Sequence, residues 1–225
     1  MSLFSSLWNS AFLPQLMAKA IIIFWSFPAH ECAHAWMAAR LGDPTGENAG
    51  RITLNPIKHL DLGGTILLIA FGVGYAKPVP VNTRYLRNPK QDRAIVSMAG
   101  PMSNLIMAAV FLLVSHVIYK AKSDALRYET IVYILVLCFR SAAYINIRLT
   151  IFNLIPIPPL DGYHMLMALI PNRYYQNISR MEGYSTYILL GALLLASFFR
   201  ASPISAVAQG LYNSLDCLYA FLLQS

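Results

Sequence analysis

The sequence predicts an all-α polytopic membrane protein, and three observations support that class. Apolar residues make up 57% of the 225 residues, and mean hydropathy is +0.52. Charged residues make up only 12%, about half the share that soluble domains carry. The net charge of +7 comes from basic residues scattered over short loops, a distribution typical of membrane topology. We therefore expect the lipid bilayer as a partner and no nucleic acid.

Several apolar runs reach or approach the roughly 20 residues that a membrane-spanning helix needs. They cover about residues 16–41, 94–119, 131–152, 184–199 and 204–223, and a shorter run covers residues 63–75. The shorter run is rich in glycine, so a re-entrant segment is as good an interpretation as a full span. We predict about five to six transmembrane helices in a single domain, residues 1–225, with closing helices at about 184–223.

The two ends of the first apolar run have different characters. The N-terminal stretch "SLFSSLWNSAF" has no basic region, so we expect no cleaved signal peptide. It is too short to span, and we expect it to lie along the outer membrane interface. At the other end, the Gly42-Asp43-Pro44 sequence should terminate the helix.

Two proline-rich segments interrupt the helical pattern. In "AKPVPVNTRYLRNPK", Pro78 and Pro80 exclude a helix and a central strand, so we predict a short extended edge or hairpin near the cytoplasmic side of the membrane. In "NLIPIPPLDG", three prolines enforce an extended path after a helix over about residues 129–152. A short helix, "YHMLMALI", and a basic loop, "PNRYYQNISRMEG", should follow.

The chemically distinctive motif is "HECAH", in which His30, Glu31 and His34 fit the pattern H-E-x-x-H. Residues four apart lie on the same helix face, so both imidazoles can bind one Zn²⁺ while the glutamate faces a metal-bound water. Zinc lowers the pKa of that water, and the carboxylate can accept its proton. Ionisable residues within membrane helices are rare and usually functional, which favours this interpretation over chance.

A catalytic zinc needs a third protein ligand and one open position. Most acidic residues of the chain lie in polar loops or at helix ends, where solvation explains them. Asp161 differs, because it follows "IPIPPL" and begins a helix in an otherwise apolar stretch. An isolated aspartate there would ordinarily be an N-cap. The absence of another obvious ligand for the H-E-x-x-H motif makes Asp161 the preferred third ligand.

Six motifs in order resemble those of the site-2 proteases, the intramembrane zinc metalloproteases: "HECAHA", "GRITLNPIKHLDLGGT", "AKPVPVN", "LRNPKQD", "AGPMSN" and "FNLIPIPPLDG". The resemblance covers residues 29–162 and is greatest to the short bacterial branch without a PDZ domain. It implies one zinc per chain, held by His30, His34 and Asp161, with Glu31 as the catalytic base. It also implies that Asn153 helps to hold the substrate or its oxyanion.

The same resemblance implies hydrolysis of peptide bonds in or near transmembrane segments of membrane-protein substrates. A metal-ion transporter is an alternative, although it would not need Glu31 between the two histidines. A non-catalytic membrane-binding module is another, although it would tolerate the loss of Glu31 or Asp161, and both are present. The sequence carries no signal for an oligomeric state or for a particular substrate.

Other polar residues are candidates for substrate binding. Asn104 lies four residues after Gly100, on the same helix face, and should hydrogen-bond either a neighbouring helix or the substrate. An exposed extended segment could also hold an unwound substrate strand by β-augmentation. The residues that this second hypothesis assigns to substrate binding are Val79, Pro80, Val81 and Asn82.

Two further residues carry weaker expectations. His164, three residues after Asp161, could be a partner of the metal ligands, but a histidine on the helix surface is the preferred interpretation. Arg140 lies in the middle of an apolar run, so we expect a carboxylate or carbonyl partner inside the helix bundle.

Charge distribution predicts the orientation. Residues 40–93 are rich in lysine and arginine and should lie on the cytoplasmic side, in what we expect to be the bacterial cytoplasmic membrane. The active site should then open toward the cytoplasm. Water must reach a zinc ion below the membrane surface, so "GRITLNPIKHLD", "AKPVPVN" and "NLIPIPPLDG" should all line the cavity that admits it.

Overall fold

The computed structural model of the chain describes residues 12–71, 75–121, 129–185, 187, 188, 191 and 203–224. These residues form helices and irregular segments, and no β-strand occurs among them. The predicted all-α class is therefore confirmed. The predicted interfacial position of the N-terminal stretch lies outside the described residues.

The first long helix comprises three consecutive parts. Helix α1 (Phe12–Ile21) passes through a π-helical turn (Ile22–Ser26) into α2 (Phe27–Arg40). Single π-turns within α-helices often mark functional sites, and this one directly precedes the H-E-x-x-H motif. The helix ends where predicted, because Gly42 adopts φ +107°, a left-handed conformation that residues with a Cβ rarely adopt.

A connecting region of short helices follows. Helix α3 (Thr45–Asn48) and a 3₁₀ turn (Pro56–Lys58) precede α4 (Leu62–Phe71). With 10 residues, α4 rises about 15 Å, roughly half of the hydrocarbon thickness of a bilayer. Helix α4 is therefore too short to cross the bilayer. This length agrees with the interpretation of a re-entrant or half-buried segment.

Two long helices form the centre of the fold. Helix α5 (Pro89–Lys120) has 32 residues and α6 (Glu129–Asn153) has 25. Proline fits the first turn of α5, and the Asp92 carboxylate caps that turn by accepting the Asn88 N–H at 2.8 Å. The helix continues through Pro101. Among the described residues, three helices are long and apolar enough to cross a membrane, namely Phe12–Arg40, Pro89–Lys120 and Thr130–Asn153.

The remaining described helices are α7 (Asp161–Leu169), α8 (Asn172–Ser179), a 3₁₀ turn (Arg180–Tyr184) and α9 (Pro203–Gln224). The predicted basic loop over residues 171–183 is therefore wrong, because most of it is helical. Its polarity suggests a loop, but Pro171 is the N-cap of a helix that begins at Asn172, and the Tyr163 hydroxyl holds that helix by donating to the Ile178 carbonyl at 3.2 Å. The total number of spans remains a prediction, since most of residues 184–199 lie outside the described part.

Small side chains form the centre of the helix bundle. Alanines at the contacts between α1, α5, α6 and α9 allow the backbones to approach closely, as in other membrane helix pairs. The buried residues of this cluster are Ala18, Ala108, Phe111, Leu112, Cys138, Ala142, Ala143, Ile147 and Ala208.

Residues 75–82 form an irregular segment that lies against the first long helix and its connecting loop. The sequence predicts an extended edge or a hairpin here. The hairpin is not formed, since the described part of the chain contains no β-bridge, and the extended edge stays a prediction. The Lys77 N–H donates to the His59 carbonyl at 2.8 Å, and the Asn82 N–H donates to the buried Asp43 carboxylate at 2.6 Å. The Arg51 guanidinium joins this segment to the preceding loop by donating to the Lys77 and Lys58 carbonyls.

Candidate metal centre

The two histidines of the H-E-x-x-H motif meet the predicted third ligand where α2, α5 and α7 pack together. The Nε2 atoms of His30 and His34 are 3.0 Å apart. From the first residue of α7, the Asp161 carboxylate approaches His30 Nε2 at 3.4 Å and His34 Nε2 at 3.3 Å. One ligand atom from each residue lies within 4.8 Å of the other two. We call this group the metal centre.

Hydrogen bonding shows why the metal centre fits a cation. His34 Nδ1 lies 2.8 Å from the Val96 carbonyl, which can only accept, so Nδ1 carries the ring hydrogen. His34 Nε2 is therefore the ring nitrogen that faces His30 and Asp161, where it could offer a lone pair to a bound cation. Two imidazole nitrogens and a carboxylate are a typical catalytic zinc donor set that leaves a coordination position open. The Val96 carbonyl is the kind of outer partner that orients a ligating histidine.

Asp161 is not acting as an N-cap. Leu160 occupies the N-cap position of α7, and no side chain caps this helix. The following glycine allows the close packing that places Asp161, since a Cβ at Gly162 would lie 2.2 Å from the Leu154 carbonyl oxygen. Burial raises the pKa of the Asp161 carboxyl, but the charge of His34 and hydrogen bonds from both histidines outweigh burial. The net effect lowers this pKa, so the carboxyl is ionised.

Gly100 provides the space on the α5 side of the metal centre. A Cβ at this position would lie 2.3 Å from His34 Nε2 and 2.6 Å from His30 Nε2. No real side chain could fit there without moving the imidazoles. The sequence places Gly100 on a helix face with Asn104 but does not reveal this contact, although a glycine within a long helical pattern often has a packing reason.

Glu31 is buried beside the metal centre. Its Oε2 accepts a hydrogen bond from the backbone N–H of Val79 at 3.0 Å, which links the irregular segment to the motif helix. Glu31 lines the same cavity as His30, His34 and Asp161. Its carboxylate is therefore placed on the ligand side of the helix.

The cavity has a volume of about 440 Å³, within the range of ligand pockets in proteins. Asn153, at the end of α6, and Asn104, on α5, both line it. Asn104 is 2% exposed, and its Oδ1 has no hydrogen-bond partner among the described residues. A buried amide oxygen of this kind calls for a missing partner.

The proline-rich segments contribute unequally to the cavity. Val79 and Val81 line it, as do residues at the end of "NLIPIPPLDG", whereas Pro80 and Asn82 are not among the lining residues. No residue of "GRITLNPIKHLD" lines the cavity either. That expectation was wrong because the segment packs behind the motif helix, where Arg51 and His59 are buried.

Two cavity residues differ from what the sequence predicts. Arg93 of α5 is one of the basic residues that predict the membrane orientation, and the preferred interpretation of His164 is a position on the helix surface. Instead, both line the cavity, and their side chains contact each other. Burial and the Arg93 charge lower the pKa of His164 to about 4, so this imidazole is neutral near pH 7. Only the three-residue spacing of His164 from Asp161 signalled its position.

A second polar group lies in the helix bundle. Arg140 Nη2 donates to Asp216 Oδ1 at 3.2 Å, and His116 Nε2 lies 3.4 Å from the same oxygen. We call these three residues the Arg140 cluster. The expected carboxylate partner of Arg140 is thus confirmed.

Comparison with known proteins decides the family. The model of peptidase family M50 matches residues 18–196, most of the chain. The chain belongs to this family. Family M50 is the site-2 protease family, so the predicted resemblance is confirmed and the protein is a membrane metalloprotease. Membership implies zinc, and the metal centre is compact enough to hold it.

Several curated relatives carry the same indication. The chain is 41% identical over 180 residues to "Putative zinc metalloprotease YwhC" of Bacillus subtilis (strain 168), covering 79% of each chain. It is 33% identical over 156 residues to "Putative zinc metalloprotease Rip2" of Mycolicibacterium smegmatis, and 32% identical over 155 residues to the Rip2 protein of Mycobacterium tuberculosis (strain H37Rv). The aligned region covers 65% of this chain and 55% of each Rip2 protein. No solved structure matches the chain.

Proposed function

We propose that this M50 protein is an intramembrane endopeptidase that hydrolyses peptide bonds in or near transmembrane segments, as a step in regulated intramembrane proteolysis. The observation that carries the proposal is the position of the metal centre. His30, His34 and Asp161 meet beside a buried glutamate in a cavity between long apolar helices. A substrate that reaches this cavity from the bilayer would be a transmembrane protein.

In this proposal His30, His34 and Asp161 hold the zinc and Glu31 is the general base. Bound zinc would polarise the scissile carbonyl and lower the pKa of a coordinated water toward about 7. Glu31 accepts a proton from the attacking water and returns it to the leaving amine. Glu31 follows His30 directly in the chain, so its carboxylate lies on the same side of the helix as the metal ligands. It is not one of the three ligands, which supports its role as the base.

The two asparagines of the cavity suit different parts of the substrate backbone. The unpartnered Oδ1 of Asn104 is an acceptor, so we assign it to a substrate N–H group. Asn153 lines the cavity at the end of α6, eight residues before Asp161. Its amide N–H groups are the donors that we assign to the substrate carbonyl or its oxyanion.

The irregular segment over residues 75–82 is the proposed docking strand for the unwound substrate. Its hydrogen-bonding capacity is restricted, because Pro78 and Pro80 have no N–H group and the Val79 N–H already donates to Glu31. Substrate pairing with Val79 would therefore release that hydrogen bond and free the catalytic carboxylate. Val79 and Val81 line the cavity, which supports this use, whereas Pro80 and Asn82 would serve only through their backbone.

We further propose that the cavity opens to the cytoplasm of a bacterial cell. Single cysteines at positions 79–82 in a background without native cysteines should react with a membrane-impermeant thiol reagent from the cytoplasmic side. A peptide-mimetic inhibitor should slow the reaction. Labelling only from the outer side, or labelling indifferent to the inhibitor, would overturn the orientation and the docking role.

Cleavage of a transmembrane substrate distinguishes an endopeptidase from the transporter and binding-module alternatives. The chain should be co-expressed with candidate single-span proteins, and the wild type compared with Glu31→Gln. We expect Glu31→Gln to retain one zinc per chain and to lose activity by at least about 10²–10⁴-fold, because that range is typical of a general acid–base group. Uncut substrate should accumulate.

Glu47→Gln is the matched control, since Glu47 is exposed and the chemical change is identical. This variant should cleave like the wild type. Near-normal cleavage by Glu31→Gln would refute the base role. Absence of zinc-dependent cleavage by the wild type across the candidate substrates would refute the endopeptidase function.

A further inference from the structure

Arg93 is a cation placed in the cavity without an acidic partner. It is the only lysine or arginine among the described residues that line the cavity, where the acidic residues are Glu31 and Asp161. No ion pair joins Arg93 to a carboxylate in the described part of the chain. The adjacent Asp92 carboxylate is engaged elsewhere, since it accepts the Asn88 N–H.

The contact between Arg93 and His164 leaves most of the guanidinium unused. Arg93 Nε lies 3.2 Å from His164 Nδ1, and Arg93 Nη2 lies 3.1 Å from His164 Nε2. Arginine only donates hydrogen bonds, and a neutral imidazole has one acceptor nitrogen. At most one of these two contacts is therefore a hydrogen bond. The imidazole positions the guanidinium but does not neutralise it.

The charge balance of the cavity favours an anionic ligand. A bound zinc ion would offset Glu31 and Asp161, so the Arg93 guanidinium would remain as an uncompensated positive charge. A guanidinium prefers a carboxylate partner, which it can bind through two parallel hydrogen bonds. A partly buried position strengthens such a pair relative to one in bulk water.

We propose that Arg93 is a specificity-determining residue that binds a substrate carboxylate close to the scissile bond. This inference rests on the proposed function, and the chemistry fits either an Asp or Glu side chain or a free C-terminal carboxylate. A substrate with a neutral isostere at that position is cleaved more slowly, and one with a basic residue there is disfavoured.

The positions of Arg93 and His164 also indicate how far the carboxylate lies from the cleaved bond. Gly100 lies against both ligand imidazoles. Arg93 lies two helical turns before Gly100 on α5, which corresponds to about 10 Å of rise along the helix. His164 follows Asp161 by about 4.5 Å of rise on α7. An extended substrate advances about 3.3 Å per residue. These two rises correspond to between about one and three residues of extended chain, so the carboxylate belongs about one to three residues from the scissile bond.

The test uses a transmembrane peptide that the wild-type protein cleaves. Asp is compared with Asn at each of the positions flanking the cleaved bond, and kcat/KM is measured for each pair. We expect the wild type to prefer Asp by about tenfold at one of the positions within about three residues of the bond, the scale of a close charge pair at an interface. A peptide ending at that position is tested as free acid and as amide, which separates a terminal carboxylate from a side-chain carboxylate.

Variants of the protein assign the preference to Arg93. Arg93→Gln should abolish the Asp preference, Arg93→Lys should retain much of it, and Arg93→Glu should reverse it in favour of Lys. Arg87→Gln is the matched control, because Arg87 is exposed, lies outside the cavity and carries the same charge. It should keep the wild-type ratio. A purely structural role for Arg93 would slow the Asp and Asn peptides equally, and that result would overturn the proposal.

A binding measurement separates this inference from the proposed function. The Asp and Asn peptides are titrated against zinc-loaded Glu31→Gln protein with and without Arg93→Gln. A preference for Asp that depends on Arg93 supports the inference even if the wild type cleaves neither peptide, in which case the proposed function fails alone. Equal binding of the two peptides by protein with Arg93 intact overturns the inference even where cleavage is normal.

Discussion

The metal centre and the Arg140 cluster both place histidine beside aspartate among apolar helices, but they differ in the source of positive charge. In the Arg140 cluster, His116 Nδ1 lies 3.0 Å from the Leu112 carbonyl, and its Nε2 faces Asp216 Oδ1 at 3.4 Å. Arg140 supplies the cation for that carboxylate. In the metal centre, the orientation of His34 is analogous, but no lysine or arginine of the described chain forms an ion pair with Asp161.

This difference shows how to distinguish a structural polar group from a site within a membrane protein. Ionisable residues in membrane helices indicate function by default, yet the Arg140 cluster is balanced by the protein itself and joins α5, α6 and α9. The metal centre is balanced only by a cation from outside, and it lines a cavity. A functional site within the membrane is therefore recognised by a charge that has no partner in the protein and that lies beside a cavity. The presence of histidine and aspartate alone does not identify such a site.

Removal of a ligand should have the largest effect. His30→Ala, His34→Ala or Asp161→Ala should lose the zinc and the activity together, since two remaining ligands cannot hold a catalytic zinc. Metal content of the purified variants measures this loss. Asp216→Ala is the matched control, because it removes the corresponding carboxylate from the Arg140 cluster and should leave one zinc per chain. Stoichiometric zinc in Asp161→Ala would exclude Asp161 as a ligand.

Gly100→Ala should have a smaller but still large effect, since the added methyl group would lie 2.3 Å from His34 Nε2. We expect zinc affinity to fall by roughly 10- to 100-fold, the scale of a disturbed ligand environment. Competition with a zinc-binding dye measures it.

Gly210→Ala on α9 is the control for this substitution, because a Cβ there meets nothing within 4 Å. It should leave zinc binding unchanged and raise helix stability by up to about 1 kcal/mol. Equal zinc affinity in the two variants would mean that Gly100 does not make room for the ligands.

The Arg140 cluster should affect stability alone. Asp216→Asn should lower the free energy of unfolding by on the order of 1–2 kcal/mol, since the pair is only partly buried. Unfolding in mixed detergent measures this change. The double variant Arg140→Met with Asp216→Leu should recover much of the loss, because it removes both charges. A fall in zinc content in either variant would show that the cluster is coupled to the metal centre.

The features that could be predicted from the sequence are those that depend on the spacing of residues close together in the chain. His30 and His34 lie four residues apart on one helix, so their shared face follows from helical geometry alone. Asp161 could be selected because few carboxylates lie in apolar stretches, but its contact with the histidines required the fold. The extent of the long helices followed from apolar run length, and two of their ends followed from Gly42 and from the prolines after Asn153.

The parts that were missed depend on which faces of distant helices meet. Arg93 and Gly100 lie on the cavity side of α5, and nothing local to α5 specifies which of its faces is turned toward α2. The helix α8 was interpreted as a loop because its residues are polar, whereas tertiary contact with Tyr163 stabilises it. For Arg140, the sequence shows that a buried partner is needed but does not show which residue it is. The partner, Asp216, is 76 residues away in the chain.

X-ray absorption at the zinc edge tests the contrast between the two groups most directly. The protein is prepared as Asp161→Cys and, separately, as Asp216→Cys, and each spectrum is compared with that of the wild type. A thiolate ligand lies about 2.3 Å from zinc, whereas imidazole and carboxylate ligands lie about 2.0–2.2 Å away. We expect a sulfur shell at about 2.3 Å in Asp161→Cys and a wild-type nitrogen and oxygen shell in Asp216→Cys. Zinc-loaded Asp161→Cys protein without a sulfur shell, or a sulfur shell in Asp216→Cys, would contradict the account.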